Sequence, residues 1–394
     1  MPDFSKTEIA FRHLSDKELK HRMKVFALMR HPWLIVAGKP LLALANFLRL
    51  PLKPFLGGIY RIFVAGKNLE EAVPAMQSLH SAGIWSIPDY SAEANEDDAA
   101  RDAVADEIKK SILFAAQHRD MVPFAVFKPS GISSVELLEK KSVGIPLTHA
   151  EEQQWNALVM RWEQIFELAA ANKIPVMIDA EESWFQQAID DLIFDFMLKY
   201  NKEMPVVINT LQMYRKDRIE ILKKTIEFAR THSLYAGVKF VRGAYHEKET
   251  KRAIEQNLLP VVFQSKEKTD MAFNLALKIS IENIDVMTIF CATHNEESSL
   301  YLTQLIHENN IAKNDRRIWF SQLYGMSDHI TFGLAAEKYN TAKYLPYAPI
   351  RVVMPYLIRR AEENTSMKGQ TLREFEMLKK ESGRRSKIKK QIQS

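Results

Sequence analysis

Near its carboxyl end the chain reads PYLIRRAEENT over residues 355–365, with two adjacent arginines directly after an apolar run. Tyr356, Arg359, Arg360 and Glu363 fall at i, i+3, i+4 and i+7, which is one face of a helix. A solvated face usually spaces its cations and pairs them with acids a turn away. Tyrosine and arginine together suit something small, planar or anionic, because a guanidinium fork matches the two oxygens of a carboxylate. On these four residues alone, a surface stripe snorkelling from a packed helix fits equally well.

Further chemistry-bearing residues close a series of apolar, β-branched runs. Eight runs read as strands, at 83–90, 123–129, 174–182, 205–214, 236–245, 285–295, 317–325 and 342–347. Their polar ends are Asp89, Lys128, Asp179 with Glu181, Gln212, Arg242, Thr293 with His294, Gln322, and Tyr344 with Tyr347. One such residue is expected wherever a strand exits to water, whereas a full ring after buried strands favours a site. Asp179, Glu181 and His294 offer metal-ligand types, but Lys128, Arg242 and the arginine pair would repel a divalent ion, so no metal is expected. No phosphate-cradling G-x-x-x-x-G-K-[ST] loop is present. Cys291 lies inside a strand and reads as a small core residue. The ring suits anions and a large polar cofactor. Arg242, ending a buried strand, is placed to bond the acceptor nitrogen of a flavin, leaving Arg359 and Arg360 for a substrate carboxylate.

Amphipathic stretches such as WNALVMRWEQIFELAAAN separate the runs, and strand–helix alternation predicts parallel βα units. Near-continuous apolar strands predict burial on both faces. Eight units predict an α/β fold, a distorted (β/α)8 barrel whose eighth helix carries the arginine pair. Residues 1–67 read as an amino-terminal helical arm, 68–370 as the barrel and 371–394 as a basic tail. Ser15 with Glu18 has capping-box spacing. From Asp16 to Lys67 there are ten Lys or Arg against two acids, among apolar runs broken by prolines 32, 40, 51 and 54 and too short to span a bilayer. The arm thus suits either packing over the barrel or an interfacial role, the former being favoured. Residues 372–394 hold eight Lys or Arg against three acids, which accounts for the whole net charge of +5. That composition predicts a solvated, frayed terminus able to touch phosphate or anionic lipid. A single cysteine excludes an internal disulfide. No apolar signal segment is visible in the first thirty residues.

The stretches KFVRGAYHEKE, IDAEES, NTLQMYRKDR, FCATHN and YLPYAPIRVVMPYLIRRAEENT, in this order and spacing, resemble the proline dehydrogenase family over about residues 70–366. The resemblance implies a distorted (β/α)8 barrel that binds FAD noncovalently and oxidises L-proline to Δ1-pyrroline-5-carboxylate, the first step of proline catabolism. It places Lys128, Tyr344, Tyr356, Arg359 and Arg360 at proline-binding positions and Asp179 and Arg242 at catalytic ones. Gln212, Tyr245, His246, Glu247, Thr293 and His294 match flavin-contacting positions. It implies a quinone acceptor, no nucleic-acid partner, and a cytoplasmic protein peripheral on the inner face of the membrane. Ala348 stands where the family usually has glycine, and Pro129 directly after Lys128 predicts an extended backbone there. A flavin barrel of the methylenetetrahydrofolate reductase kind is the rival within the architecture, and a non-catalytic membrane-associated protein the rival outside it.

Overall fold

A computed structural model of the chain describes residues 1–29, 47, 48, 50–90, 97–366 and 368–393. Pro32, Lys39, Pro40 and Arg49 of the expected arm lie outside the described residues, as does the side chain of Glu363. Eight strands run in parallel: β1 (Trp85–Tyr90), β2 (Ala125–Phe127), β3 (Val176–Ile178), β4 (Val207–Gln212), β5 (Ala236–Val241), β6 (Met287–Ala292), β7 (Ile318–Leu323) and β8 (Thr341–Tyr347). Their order is β1-β8-β7-β6-β5-β4-β3-β2, so the ladder runs round a barrel whose seam lies between β1 and β2. The Ser86 N–H, donating to the Met121 carbonyl at 2.8 Å, bridges that seam.

Strand period two sorts the side chains. Ile87, Val126, Met177, Ile208, Phe290, Trp319 and Ala342 meet in an apolar layer inside the barrel. Outward neighbours such as Val176, Ile178, Val238, Phe240 and Leu345 join the helices in the main core. One inward step further along, at i+2, come Asp89, Lys128, Asp179, Thr210, Ser321 and Tyr344. The barrel is therefore plugged by hydrocarbon below and lined with polar groups at its carboxyl end. Gly237 belongs to the lower layer, where a Cβ would stand 2.7 Å from Ile208.

The helices follow local rules. Thr148 and Glu151 close a capping box at the start of His149–Ala171. Ser15 and Glu18 do the same for Asp16–Met29, with the Ser15 N–H on Glu18 Oε2 at 2.8 Å and the Glu18 N–H on Ser15 Oγ at 3.3 Å. Pro54 sits in the first turn of Lys53–Phe63, where a missing N–H costs nothing. Phe11, Leu19, Phe26 and Phe63 of the arm pack with Tyr356 and Leu357 of the helix Met354–Ser366. The described part of the arm thus packs against the barrel's last helix.

The expected frayed tail is a correction. Residues 368–393 form one continuous helix, Lys368–Gln393. Met377 and Leu378 bury against the arm. Arg385 donates to the Phe11 and Leu14 carbonyls at 2.8 Å each and pairs with Asp16 at 3.0 Å and Glu381 at 2.8 Å. Arg384 pairs with Glu381 at 2.7 Å. Net charge hid the tail's apolar face, and Asp16 and Glu296 outside the tail pair with part of its basic surplus.

Candidate active site

At the carboxyl end of the barrel, four strands bring two carboxylates and two ammoniums together. Lys128, just past β2, lies 3.4 Å from Asp89 on β1 and 3.2 Å from Asp179, just past β3. Its backbone is extended, at φ −102° and ψ 127°, as the following Pro129 requires. Lys239 on β5 pairs with the other Asp179 oxygen. The Lys239 ammonium also donates to the Tyr344 hydroxyl at 2.7 Å, and that hydroxyl donates to Asp179 at 2.9 Å. Burial works against the Asp179 charge, but Lys239 and Lys128 hold its carboxyl down to about 2. Burial also works against Lys128, yet Asp89 and Asp179 raise its ammonium above the ordinary value. Burial lowers the Lys239 ammonium, against the pull of Asp179. Counted as formal charges, the two ammoniums and two carboxylates cancel. A carboxylate as weakly basic as Asp179 is suited to holding its neighbours in place rather than to carrying a proton.

Lys239 was not among the candidate residues, because the end of its run drew attention to Arg242 instead. Its parity was the available signal. It lies an even step from the inward Gly237 and three residues from Arg242, so the two cations leave β5 in different directions. Tyr347 also differs from expectation. Three residues after the inward Tyr344, it faces the helices, its hydroxyl 3.4 Å from Glu107.

Arg242 stands on the rim. It donates to Asp270 at 2.7 Å, to the Thr293 hydroxyl at 2.5 Å and to the Ser298 hydroxyl at 2.9 Å, and lies over the Phe273 ring. Gln212 donates to the Glu181 carbonyl at 2.6 Å and accepts from the Ala244 N–H at 3.3 Å, tying β4 to the turn after β5. Gln322 donates to the Thr293 carbonyl at 3.1 Å. Tyr245 caps the helix His246–Glu255, and His246 and Glu247 are exposed on its first turn. His294 bonds the Ser327 hydroxyl at 2.9 Å; burial pushes its imidazole down to about 3, with Lys343 and Arg360 adding to the effect, so the ring is neutral. The Glu181 carboxylate accepts from the Ser130 N–H at 2.8 Å and the Ser130 hydroxyl at 2.5 Å, yet burial pushes it up to about 7.

The helix Met354–Ser366 roofs this end of the barrel. Tyr356 and Arg360 are buried, and the Arg360 guanidinium lies 5.3 Å from the Tyr356 ring centre. The positive charge of Arg359 is felt at Lys128 and Tyr245, and that of Arg360 at His294. Arg360 is thus buried rather than on a solvated face, and both arginines lie near groups at the barrel's carboxyl end. Ala348 is fully buried, its carbonyl accepting the Tyr60 hydroxyl at 2.9 Å, so the turn into the roof helix is fastened to the arm.

The roof helix carries two guanidiniums, the layer beneath pairs two ammoniums with two carboxylates, and the rim presents the Arg242 fork. Such an arrangement has the charge and the donors to hold a small anion. A family model described as proline dehydrogenase matches residues 72–373. The carbapenem antibiotics biosynthesis protein CarD of Pectobacterium carotovorum subsp. carotovorum is 35% identical over 324 residues, covering 82% of this chain and 84% of that protein. The mitochondrial proline dehydrogenase 1 of Dictyostelium discoideum is 30% identical over 370 residues, covering 83% of this chain but 64% of that one. Among solved structures, proline utilization A from Bdellovibrio bacteriovorus, inactivated by N-propargylglycine, aligns with a TM-score of 0.72 at 21% identity, over 82% of this chain and 34% of that chain.

Proposed function

The chain belongs to the proline dehydrogenase family, and from that premise we propose that it oxidises L-proline to Δ1-pyrroline-5-carboxylate with noncovalent FAD and a membrane quinone as acceptor. The observation that carries this reading is the neutral Lys128–Asp89–Asp179–Lys239 layer lying under a helix with two arginines. A neutral floor and a cationic roof together select a substrate with one carboxylate.

In this reading Arg359 and Arg360 clamp the carboxylate, the geometry for which a guanidinium fork is suited. Tyr344 and Tyr356 wall the ring of the substrate. Asp179 orders Tyr344 and Lys239, and Lys239 places a buried cation beside the reacting carbon's neighbours. The rim fits a flavin: Arg242 has two N–H donors beyond its three protein bonds, one of which goes to Thr293, and Gln212, Tyr245, His246, Glu247 and His294 are the further residues assigned to the cofactor. FAD, when bound, supplies the hydride acceptor. The chain's own contribution is to hold the substrate in a near-attack geometry, where much of the rate originates.

Membrane contact is part of the proposal, with the protein peripheral on the inner, cytoplasmic face. Among the described residues no helix is long and apolar enough to cross a bilayer. The test of the whole reading is spectroscopic. The purified protein should be yellow, and L-proline should bleach it in the absence of oxygen. A colourless protein, or a yellow one indifferent to proline, would refute it.

A further inference from the structure

Arg242 has five N–H donors in a planar fork, and three of them are fixed by protein groups. Its Nε donates to Asp270 Oδ1 at 2.7 Å, Nη1 to Thr293 Oγ at 2.5 Å and Nη2 to Ser298 Oγ at 2.9 Å. The guanidinium carbon lies 4.6 Å from the Phe273 ring centre. Asp270, Phe273 and Asn274 share one face of the helix Lys266–Glu282, at i, i+3 and i+4. Asn274 Oδ1 accepts the Ser298 hydroxyl at 2.7 Å. The single proton of Ser298 is thereby committed, and only a lone pair is left for Arg242. The other Asp270 oxygen pairs with Lys266, so the Lys266–Asp270–Arg242 group keeps one net positive charge.

Thr293 is oriented in the same way. Its hydroxyl oxygen accepts from Arg242 and from the Asn295 N–H at 3.1 Å. Among the described residues nothing takes its proton, and the residue is 5% exposed. What Arg242 and Thr293 have left to offer is therefore donors only: one N–H on each Nη of Arg242 and the O–H of Thr293. A buried hydroxyl proton with no acceptor is costly unless a ligand supplies one.

We propose that Asp270 and Asn274 are positioning residues, which aim Arg242 and Thr293 as hydrogen-bond donors at an acceptor edge of the flavin. This rests on the flavin reading above. Asp270 fixes the Nε edge of the fork, Asn274 fixes the hydroxyl that receives Nη2, and Phe273 fixes the plane.

The test measures the midpoint potential of the bound flavin and the dissociation constant of FAD in holoenzyme carrying Arg242→Met, Asp270→Asn, Asp270→Glu or Asn274→Ala. Losing a donor that favours the electron-rich reduced form lowers the potential, so Arg242→Met should lower it. Asp270→Asn removes a negative charge, which by charge alone would raise the potential. Loss of aim predicts the opposite: a fall at least half as large as in Arg242→Met, with FAD bound several-fold more weakly. Asp270→Glu should recover most of the potential, and the double variant Arg242→Met/Asp270→Asn should fall no further than Arg242→Met. Asn274→Ala, a milder change, should fall in the same direction and decides the matter if Asp270→Asn does not fold. A fall in Arg242→Met with an unchanged or raised potential in Asp270→Asn, or in Asn274→Ala where it must serve, overturns the positioning role. An unchanged potential and FAD affinity in Arg242→Met overturns instead the flavin contact on which it rests.

Discussion

The Lys239 ammonium donates to the Tyr344 hydroxyl at 2.7 Å and stands 4.5 Å from the centre of the same ring. Both are buried, and both hold Asp179. A tyrosine gripped at its hydroxyl and faced by a cation is a rigid wall. Lys239→Met should take the cation from Tyr344 and leave Lys128 as the one cation on Asp179. Flavin reduction by saturating proline should slow roughly 10²-fold or more, the scale of losing one well-placed polar group in a closed site. Stopped-flow absorbance would read it, and an unchanged reduction rate would remove Lys239 from the site.

The roof arginines should affect binding more than chemistry. Arg359→Met and Arg360→Met each strip a partner from a buried carboxylate, a loss of about 2–5 kcal/mol. Each should raise the KM for proline at least about thirtyfold, since each 1.4 kcal/mol is tenfold. Flavin should stay bound. Because the Arg359 charge is felt at Lys128, the effect should be larger at Arg359 than at Arg360, which leans on Tyr356. Steady-state kinetics with wild-type KM in both variants would refute the clamp.

Glu181 should shape the pH dependence of stability. Its carboxyl is raised from 4.5 to about 7 by burial, so the folded protein binds this proton more tightly than the unfolded chain does. The resulting stabilisation is complete below the unfolded value near 4.5 and is lost as pH rises towards 7. A full shift of this size corresponds to about 3 kcal/mol. Glu181→Gln keeps a neutral group and should flatten the decline between pH 4.5 and 7. Urea midpoints at several pH values check it, and equal slopes in both proteins would refute the assignment.

The arm is fastened to the barrel by a buried charge. Asp328 pairs with Arg22 at 2.6 Å, Lys343 at 2.8 Å and His13 at 3.4 Å. Burial opposes its charge, but Lys343 and Arg22 hold it well below the ordinary value. This stabilisation is present above the unfolded carboxylate range and is lost as pH falls below it. Arg22→Met leaves Lys343 and Asp328 in place but breaks one side, so a loss of about 3–5 kcal/mol is expected in urea unfolding. A loss under 1 kcal/mol would mean that the arm is not anchored there.

Membrane contact has its own test. The intact protein should sediment with anionic vesicles at low ionic strength and release as salt rises, because exposed charges are screened over about 10 Å at 0.1 M. Arg385 holds the Phe11 and Leu14 carbonyls, so deleting 379–394 should lower the melting temperature as well as weaken sedimentation. A protein that ignores such vesicles at low salt has no electrostatic attachment of this kind.

Much was legible in the sequence for physical reasons. Strand runs such as AGVKFVRGAY and apolar helices such as WNALVMRWEQIFELAAAN carry their periods locally, so seven of the eight strands lie within the expected runs and β8 starts one residue ahead of its own, at Thr341. Ser15 with Glu18 and the extended Lys128 before Pro129 were likewise local matters of backbone geometry. The polar ends of the strands pointed to one end of the barrel because parallel strands all finish on the same side. Which of those ends meet was decided only by the closed barrel. Parity along each strand was local, but register brings Lys239 and Tyr344 onto Asp179 and sets Arg242 against Asp270, Thr293 and Ser298, all distant in sequence. The basic tail taught the same lesson: its charge is local, but Asp16 and the Phe11 and Leu14 carbonyls, some 370 residues away in the chain, decide that it folds back as a packed helix.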